Sequence, residues 1–229
     1  MLFRSASRKL ITSTIDGKSI LLVRRPDPGF LYITFGGALA AATAALGPLH
    51  DMRPGYEMQE AGKQLAIADG IDDPSVSLGT MLVSDLVNTY KLRLEDSNAV
   101  IVSNDKELEV LRKRHQADLI FEFYTEAWRT FYFLDFKHYD IWYYAKARLI
   151  DGKTGSMIRH TKCAHRPVRT AASPTLDELL ADHGAKLRAA VEAASELCLA
   201  TARQEFGIPA SVDVRAFHEP FGIAESNIR

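Results

Sequence analysis

The sequence predicts an α/β sandwich: a mixed β-sheet packed by helices, the last of them a long C-terminal helix. Three stretches carry that expectation. After Asp118, Leu119, Phe121 and Phe123 alternate with Ile120, Glu122 and Tyr124; from Tyr139 to Asp151 the alternation returns over a longer run; and from Leu176 to about Phe206 apolar residues recur at helical spacing. Period two marks a strand with one buried face and a period near 3.6 marks an amphipathic helix, so sheet and helices each cover the other's apolar side.

In chain order, Lys18 to Arg25 reads as a short apolar strand, entered through Asp16-Gly17 and stopped by Pro26 and Pro28. The uncharged run from Phe30 to Leu49 is long enough to weigh as a membrane span. Its centre, Gly36 to Ala45, is mostly Gly and Ala, and Gly47-Pro48 ends it early. The expectation there is instead a small-residue helix that lets another backbone approach closely. Tyr56 to Ala68 has helical character. A second helix starts with Asp73 as N-cap and Pro74 at the first helical position, and runs to about Lys91 with Val76, Leu78, Leu82, Leu86 and Tyr90 turned inward. Ala99 to Ser103 reads as a compact strand, and Asp105 to His115 as a short charged helix with Leu108 and Leu111 inward.

On the strand from Tyr139, Ile141, Tyr143, Ala145, Ala147 and Leu149 share one face, which needs a helix over it. Asp140, Trp142, Tyr144, Lys146 and Arg148 share the other. That second face mixes rings with cations and is either half-solvated or a contact surface. Between the two long strands, Trp128 to His138 gathers Phe131, Tyr132, Phe133 and Phe136, either as more strand or as a connection whose rings pack on the sheet edge or on another subunit. Asp151-Gly152-Lys153-Thr154-Gly155 then makes a hairpin into Ser156 to Cys163. Thr175 and Glu178 have capping-box spacing at the start of the last helix. Its inward stripe is Leu180, Leu187, Val191, Ala194, Cys198 and Thr201, and Gly207 and Pro209 stop it. One α/β domain over 1–207 is expected, followed by an extended arm over 208–229 that keeps Val212, Val214, Phe217, Phe221 and Ile223.

A formal charge of -1 gives no electrostatic footprint for nucleic acid, so Arg112-Lys113-Arg114 and the cations from Arg159 to Arg169 read as solvated surface. Met1 to Leu10 carries Arg4, Arg8 and Lys9 without an apolar stretch, and is not expected to act as a signal peptide. The two cysteines, Cys163 and Cys198, leave two readings open. They close a loop of about 35 residues, a crosslink worth roughly 3–4 kcal/mol, or they are independent buried thiols of a cytosolic protein.

Chemistry is sparse. Gly17-Lys18-Ser19 and Gly152-Lys153-Thr154 imitate the end of a phosphate-binding loop, but Thr12 and Ala147 stand where its first glycine belongs, and both fragments enter strands. His160, Cys163 and His165 form the most metal-like cluster, short of the four ligands that a structural zinc site gathers. His183 reads as a half-buried histidine on the last helix. Glu122 and Glu126 lie about 13 Å apart along one strand, too far for paired-carboxylate catalysis. No cofactor and no metal is expected.

The pieces Leu82 to Tyr90, Val100 to Ser103, Lys106 to His115, Ala117-Asp118-Leu119 and Leu149-Ile150-Asp151-Gly152-Lys153-Thr154-Gly155 follow a recognisable order. That order resembles the fold shared by the amino-terminal domain of TolB, the curli secretion-channel lipoprotein and the lipoprotein activators of peptidoglycan synthases. The whole chain is also similar to proteobacterial envelope lipoproteins. The resemblance covers Met81 to Cys163; this sequence departs from it in showing no lipid-acceptor cysteine near Met1, and the Phe30 to Leu49 segment is not part of the shared fold. What it implies is a non-enzymatic binding or assembly protein on the periplasmic face of the outer membrane, with signal sequence and lipid anchor outside this chain. The implied partners are other envelope proteins or further copies of itself. An oxidising compartment follows, and with it a Cys163–Cys198 disulfide. The interaction surface expected on this reading is Trp128, Phe131, Tyr132, Phe133, Phe136, Trp142 and Tyr144. The alternative is an enzyme whose site is assembled from His138, Asp140, His160 and Glu122 on neighbouring strands.

Overall fold

The structure is a computed structural model that describes residues 15–33, 54–96, 99–132, 135, 137–167 and 173–209. Its strands are β1 (Ser19–Arg24), β2 (Phe30–Leu31), β3 (Arg93–Leu94), β4 (Val100–Ile101), β5 (Leu119–Tyr132), β6 (Tyr139–Asp151) and β7 (Met157–His165). The described helices are α1 (Pro54–Ala68), α2 (Ser75–Tyr90), α3 (Asp105–Arg114) and α4 (Leu176–Glu205). All the strands join one open mixed sheet in the order β3-β1-β5-β6-β7, with β4 also beside β1 and β2 beside β5. β5, β6 and β7 form an antiparallel meander, while β1 runs parallel to β3, β4 and β5. Lying between parallel neighbours, β1 is buried from Ser19 to Val23, which explains its unbroken apolar run. The α/β class and the long C-terminal helix are as the periodicity predicts.

The two faces of the sheet are covered unequally. On the first, α1, α2 and α4 close a core around Leu22, Phe121, Phe123, Trp128, Tyr143 and Leu149. On the second, α3 seals only one end, with Leu108 and Leu111 packed against Leu21, Val23, Ile120 and Ile150. α3 is held there by its Asn104 cap and by Arg112, which donates to the Lys153 carbonyl at 2.6 Å. In α2 the Asp73 carboxylate receives the Ser75 N–H at 2.9 Å ahead of the first turn. Its inward stripe is Leu78, Leu82, Val83, Leu86 and Tyr90; Val76, expected inside, is 45% exposed, because Ser75 and Gly79 take the inner positions of the first turns.

Two expectations about α4 are corrected. The capping box of Thr175 and Glu178 is present, but the helical path is interrupted from Ala181 to Gly184, with positive φ at Asp182, His183 and Gly184. The interruption changes the helical phase. Leu179 is buried with Leu180 packed partly against the core, and Thr201 and His183 face solvent. Beyond it, Leu187, Val191, Ala194 and Cys198 form the buried stripe, and Phe206 stacks edge-on to Phe121 at 5.5 Å. Cys198 is bonded to Cys163 of β7, with Cα atoms 5.3 Å apart, so the helix layer is covalently tied to the edge of the sheet. Ile208, assigned to the arm by its position, packs in the core; residues 210–229, the Gly/Ala segment from 34 and the N-terminal 1–14 lie outside the described residues. No described helix is long and apolar enough to cross a membrane.

Two glycines are required by close approach. A Cβ on Gly62 would lie 1.8 Å from the Phe30 carbonyl oxygen, and one on Gly152 would lie 2.0 Å from that of Ala117. Both partners are backbone, so neither clash is relieved by a side-chain turn. Gly62→Ala is expected to force α1 away from β2 and lower unfolding free energy by more than about 2 kcal/mol, read from urea denaturation. An unchanged midpoint would show that the two elements do not touch there.

Candidate functional site

The part of the second sheet face that α3 leaves uncovered is built by an irregularity in β5. Thr125 pairs with Ala145 and Ala127 with Tyr144, so Glu126 is an extra residue in a β-bulge. Before the bulge, Glu122 and Tyr124 point to the second face; after it, Arg129 and Phe131 do, because they pair with Trp142 and Asp140. The same shift turns Trp128 inward. It is 1% exposed, lies 5.1 Å from the Phe30 ring and donates its indole N–H to Asp27 at 3.2 Å. Its assignment to the contact surface is therefore corrected: continuing the period-two count across residue 126 places every later side chain on the wrong face.

The remaining rings assemble as a ladder. Phe131 stacks on Trp142 with centroids 4.5 Å apart, and Trp142 meets Tyr144 edge-on at 6.4 Å. Tyr132 pairs with Tyr139 at the strand end and stacks on Phe131. Phe131, Tyr132, Trp142 and Tyr144 are all half-buried. Phe133 and Phe136, named with them, lie outside the described residues. Cations flank the rings. Arg129 sits 5.3 Å from Trp142 and 5.6 Å from Tyr144; Arg166, just past β7, sits 5.2 and 5.0 Å from the same two rings. Further along, Arg25, Lys146 and Arg148 surround Tyr124 at 5.3, 5.8 and 5.9 Å. Such geometry is that of cation–π contact. Arg129 went unnoticed in the sequence, Tyr124 was read only as a strand-face residue and Arg166 only among the solvated cations from Arg159 to Arg169; the break in alternation at Thr125-Glu126-Ala127 was the signal that could have found Arg129.

Between this face and α3 sits an ion cluster. The fully buried Glu122 carboxylate accepts from Arg25 Nε and from Arg148 Nε, and both guanidiniums also donate to Asp105. Asp105 is held below the usual carboxylate range by Arg148 first and Arg25 second. Two carboxylates and two guanidiniums thus neutralise each other around a buried centre. Under the helices lies a second polar chain: the Thr125 hydroxyl donates to Asp73 and meets the Tyr143 hydroxyl at 3.0 Å. Burial pushes the Tyr143 phenol well above its ordinary range.

The four residues of the enzymatic alternative do not converge. His160 lies opposite Arg148, which lies opposite Glu122, whereas Asp140 is eight positions along β6 from Arg148, about 26 Å. Asp140 accepts from Ser173 at 3.0 Å, and His138 bonds Asp135, whose carboxyl is held at about 2 by the Lys137 N–H first and by His138 second. Cys163 is committed to its disulfide and cannot ligate a metal beside His160 and His165. Among the described residues no cluster of His, Cys, Asp or Glu could hold an ion.

No protein-family model and no curated protein sequence matches the chain. Solved structures similar to it include lipoprotein GNA1162 from Neisseria meningitidis, at 16% identity over 64% of this chain and 81% of that one, with a TM-score of 0.26. A neuraminyllactose-binding hemagglutinin homolog from Helicobacter pylori aligns at 10% identity over 82% of this chain and 84% of that one, TM-score 0.36. The C-terminal domain of LpoB from Escherichia coli aligns at 13% identity over 71% and 97%, TM-score 0.24.

Replacing Glu122 by Gln leaves two largely buried guanidiniums with only Asp105, and is expected to cost about 3 kcal/mol of stability in chemical denaturation. A loss under a few tenths would mean that the cluster is solvated. A pH effect comes from His165, whose pKa burial lowers below its ordinary 6.5. The unfolded chain then binds this proton first, so its contribution is complete above pH 6.5 and is lost as pH falls through the lower folded pKa. Relative to His165→Gln, the wild type should lose stability on acidification from neutral pH; parallel unfolding midpoints would contradict this.

Proposed function

We propose that the protein is a non-enzymatic binding or assembly protein of the cell envelope, lipoprotein-like and facing the periplasm, that works through protein–protein contacts. The observation that carries the reading is the half-buried Phe131–Trp142–Tyr144 ladder with its flanking arginines. Aromatic residues and Arg are the side chains enriched at the centres of protein interfaces. A sheet face covered by α3 at one end and showing rings at the other is suited to hold a second surface. Support for the compartment comes from the Cys163–Cys198 bond, which belongs to an oxidising environment, and from the sequence resemblance to envelope lipoproteins. The one-domain organisation over 1–207, with an arm beyond it, belongs to the same reading, as does self-association through this face.

The test is photocrosslinking in a Gram-negative host, with the reactive group placed at Tyr144 and, as control, at Ile67, which is 66% exposed on the helical side. A discrete adduct from position 144 and none from position 67 is the expected outcome, with an adduct of twice the chain's mass if the partner is a second copy. Absence of any adduct, together with cysteines that react with thiol reagents in the cell, would overturn both contact and compartment.

A further inference from the structure

The paired arginines narrow the chemistry of the partner, on the premise that this face is a binding surface. Of the other cations there, Arg25 and Arg148 are matched by Glu122 and Asp105 and Lys146 by Glu126, while Lys162, opposite Lys146, stands exposed further along the face. Among the described residues, Arg129 and Arg166 form no ion pair, and their guanidiniums lie beside the rings of Trp142 and Tyr144. Two donors in the same patch, Arg129 Nε and Tyr144 Oη, are buried without an acceptor among the described residues. An unmatched donor in a low-dielectric setting costs free energy until an acceptor arrives. Local construction leaves room for one. Tyr144 pairs with Ala127 on one side and Ala164 on the other, so the side chains directly opposite its ring are small.

We propose that Arg129 and Arg166, on either side of Trp142 and Tyr144, receive a carboxylate of an acidic protein segment whose apolar neighbour lies on the Phe131–Trp142 rings. The planar donor forks of the guanidiniums match a carboxylate, and the rings beneath hold them in place. A protein segment fits better than a continuous anionic surface. It supplies both halves of the contact, a discrete carboxylate for the two donor forks and an apolar side chain for the rings, where a headgroup layer supplies charge alone. A net charge of -1 gives nucleic acid no electrostatic footprint.

Trp142 makes the test direct. The chain has two tryptophans, and the other, Trp128, is buried, so a ligand on the open face reports through Trp142. The purified full chain is titrated with a short peptide of Glu, Ser and Leu, with its Gln counterpart, with phosphatidylglycerol vesicles and with inorganic phosphate. The expected result is a saturable change in tryptophan emission with the Glu peptide alone, weakening as salt rises. Arg129→Gln combined with Arg166→Gln should reduce the affinity about tenfold or more while leaving the urea midpoint and far-UV spectrum unchanged. Equal response to the Gln peptide, response only to vesicles or phosphate, or no response at all would each overturn the proposal. A crosslink from position 144 without an acidic-peptide response would sink this inference and leave the binding role standing.

Discussion

The pairing of β5 with β6 sets the character of the molecule, and the constraint inside it is the extra residue at Glu126. A strand alternates faces with period two, so inserting one residue exchanges inside and outside for everything downstream. Here the exchange sends Trp128 beneath the helices and brings Arg129 and Phe131 out beside Trp142. Without it, Trp128 would stand on the open face, the core under α2 would lack its largest ring, and Arg129 would be buried among apolar side chains. The bulge thus settles a packing demand and a surface demand in one step.

Glu122 divides the same face into two regimes. On its α3 side the sheet is dry, lined by Leu21, Val23, Ile120 and Ile150 under Leu108 and Leu111. On the other side rings and cations meet solvent. The carboxylate has no exposure and is satisfied twice over by Arg25 and Arg148, which carry its charge outward to Asp105. Such a cluster adds little net stability compared with apolar residues of the same shape, but it fixes where Arg25 and Arg148 lie. In doing so it withdraws those two cations from any external partner.

Much of the fold was legible because it rests on local patterns. The meander follows from alternation in β5 and β6 with the Asp151 turn, α4 from the Thr175 cap, and α2 from Asp73-Pro74. What escaped notice depends on residues distant in sequence. β2 and β3 have only two residues each and exist because β5 and β1 offer them a partner. The break at Ala181 to Gly184 lies inside a continuous helical pattern, where Gly184 sits against Asp69 in the turn that follows α1. At the candidate site, Trp142, Tyr144 and Phe131 were readable from composition. Arg166 was not, since nothing short of strand pairing places it over rings more than twenty positions earlier in the chain.

The covalent link between β7 and α4 bears on how the molecule would carry a mechanical load. Arg166 follows Cys163 by three positions, so tension applied through a partner gripping that end of the face enters β7 close to its anchored residue. An edge strand joined to one neighbour by hydrogen bonds alone peels away one rung at a time. Here the pull passes through sulfur into the helical layer, and the strand must drag Cys198, with the core around it, before it can unzip.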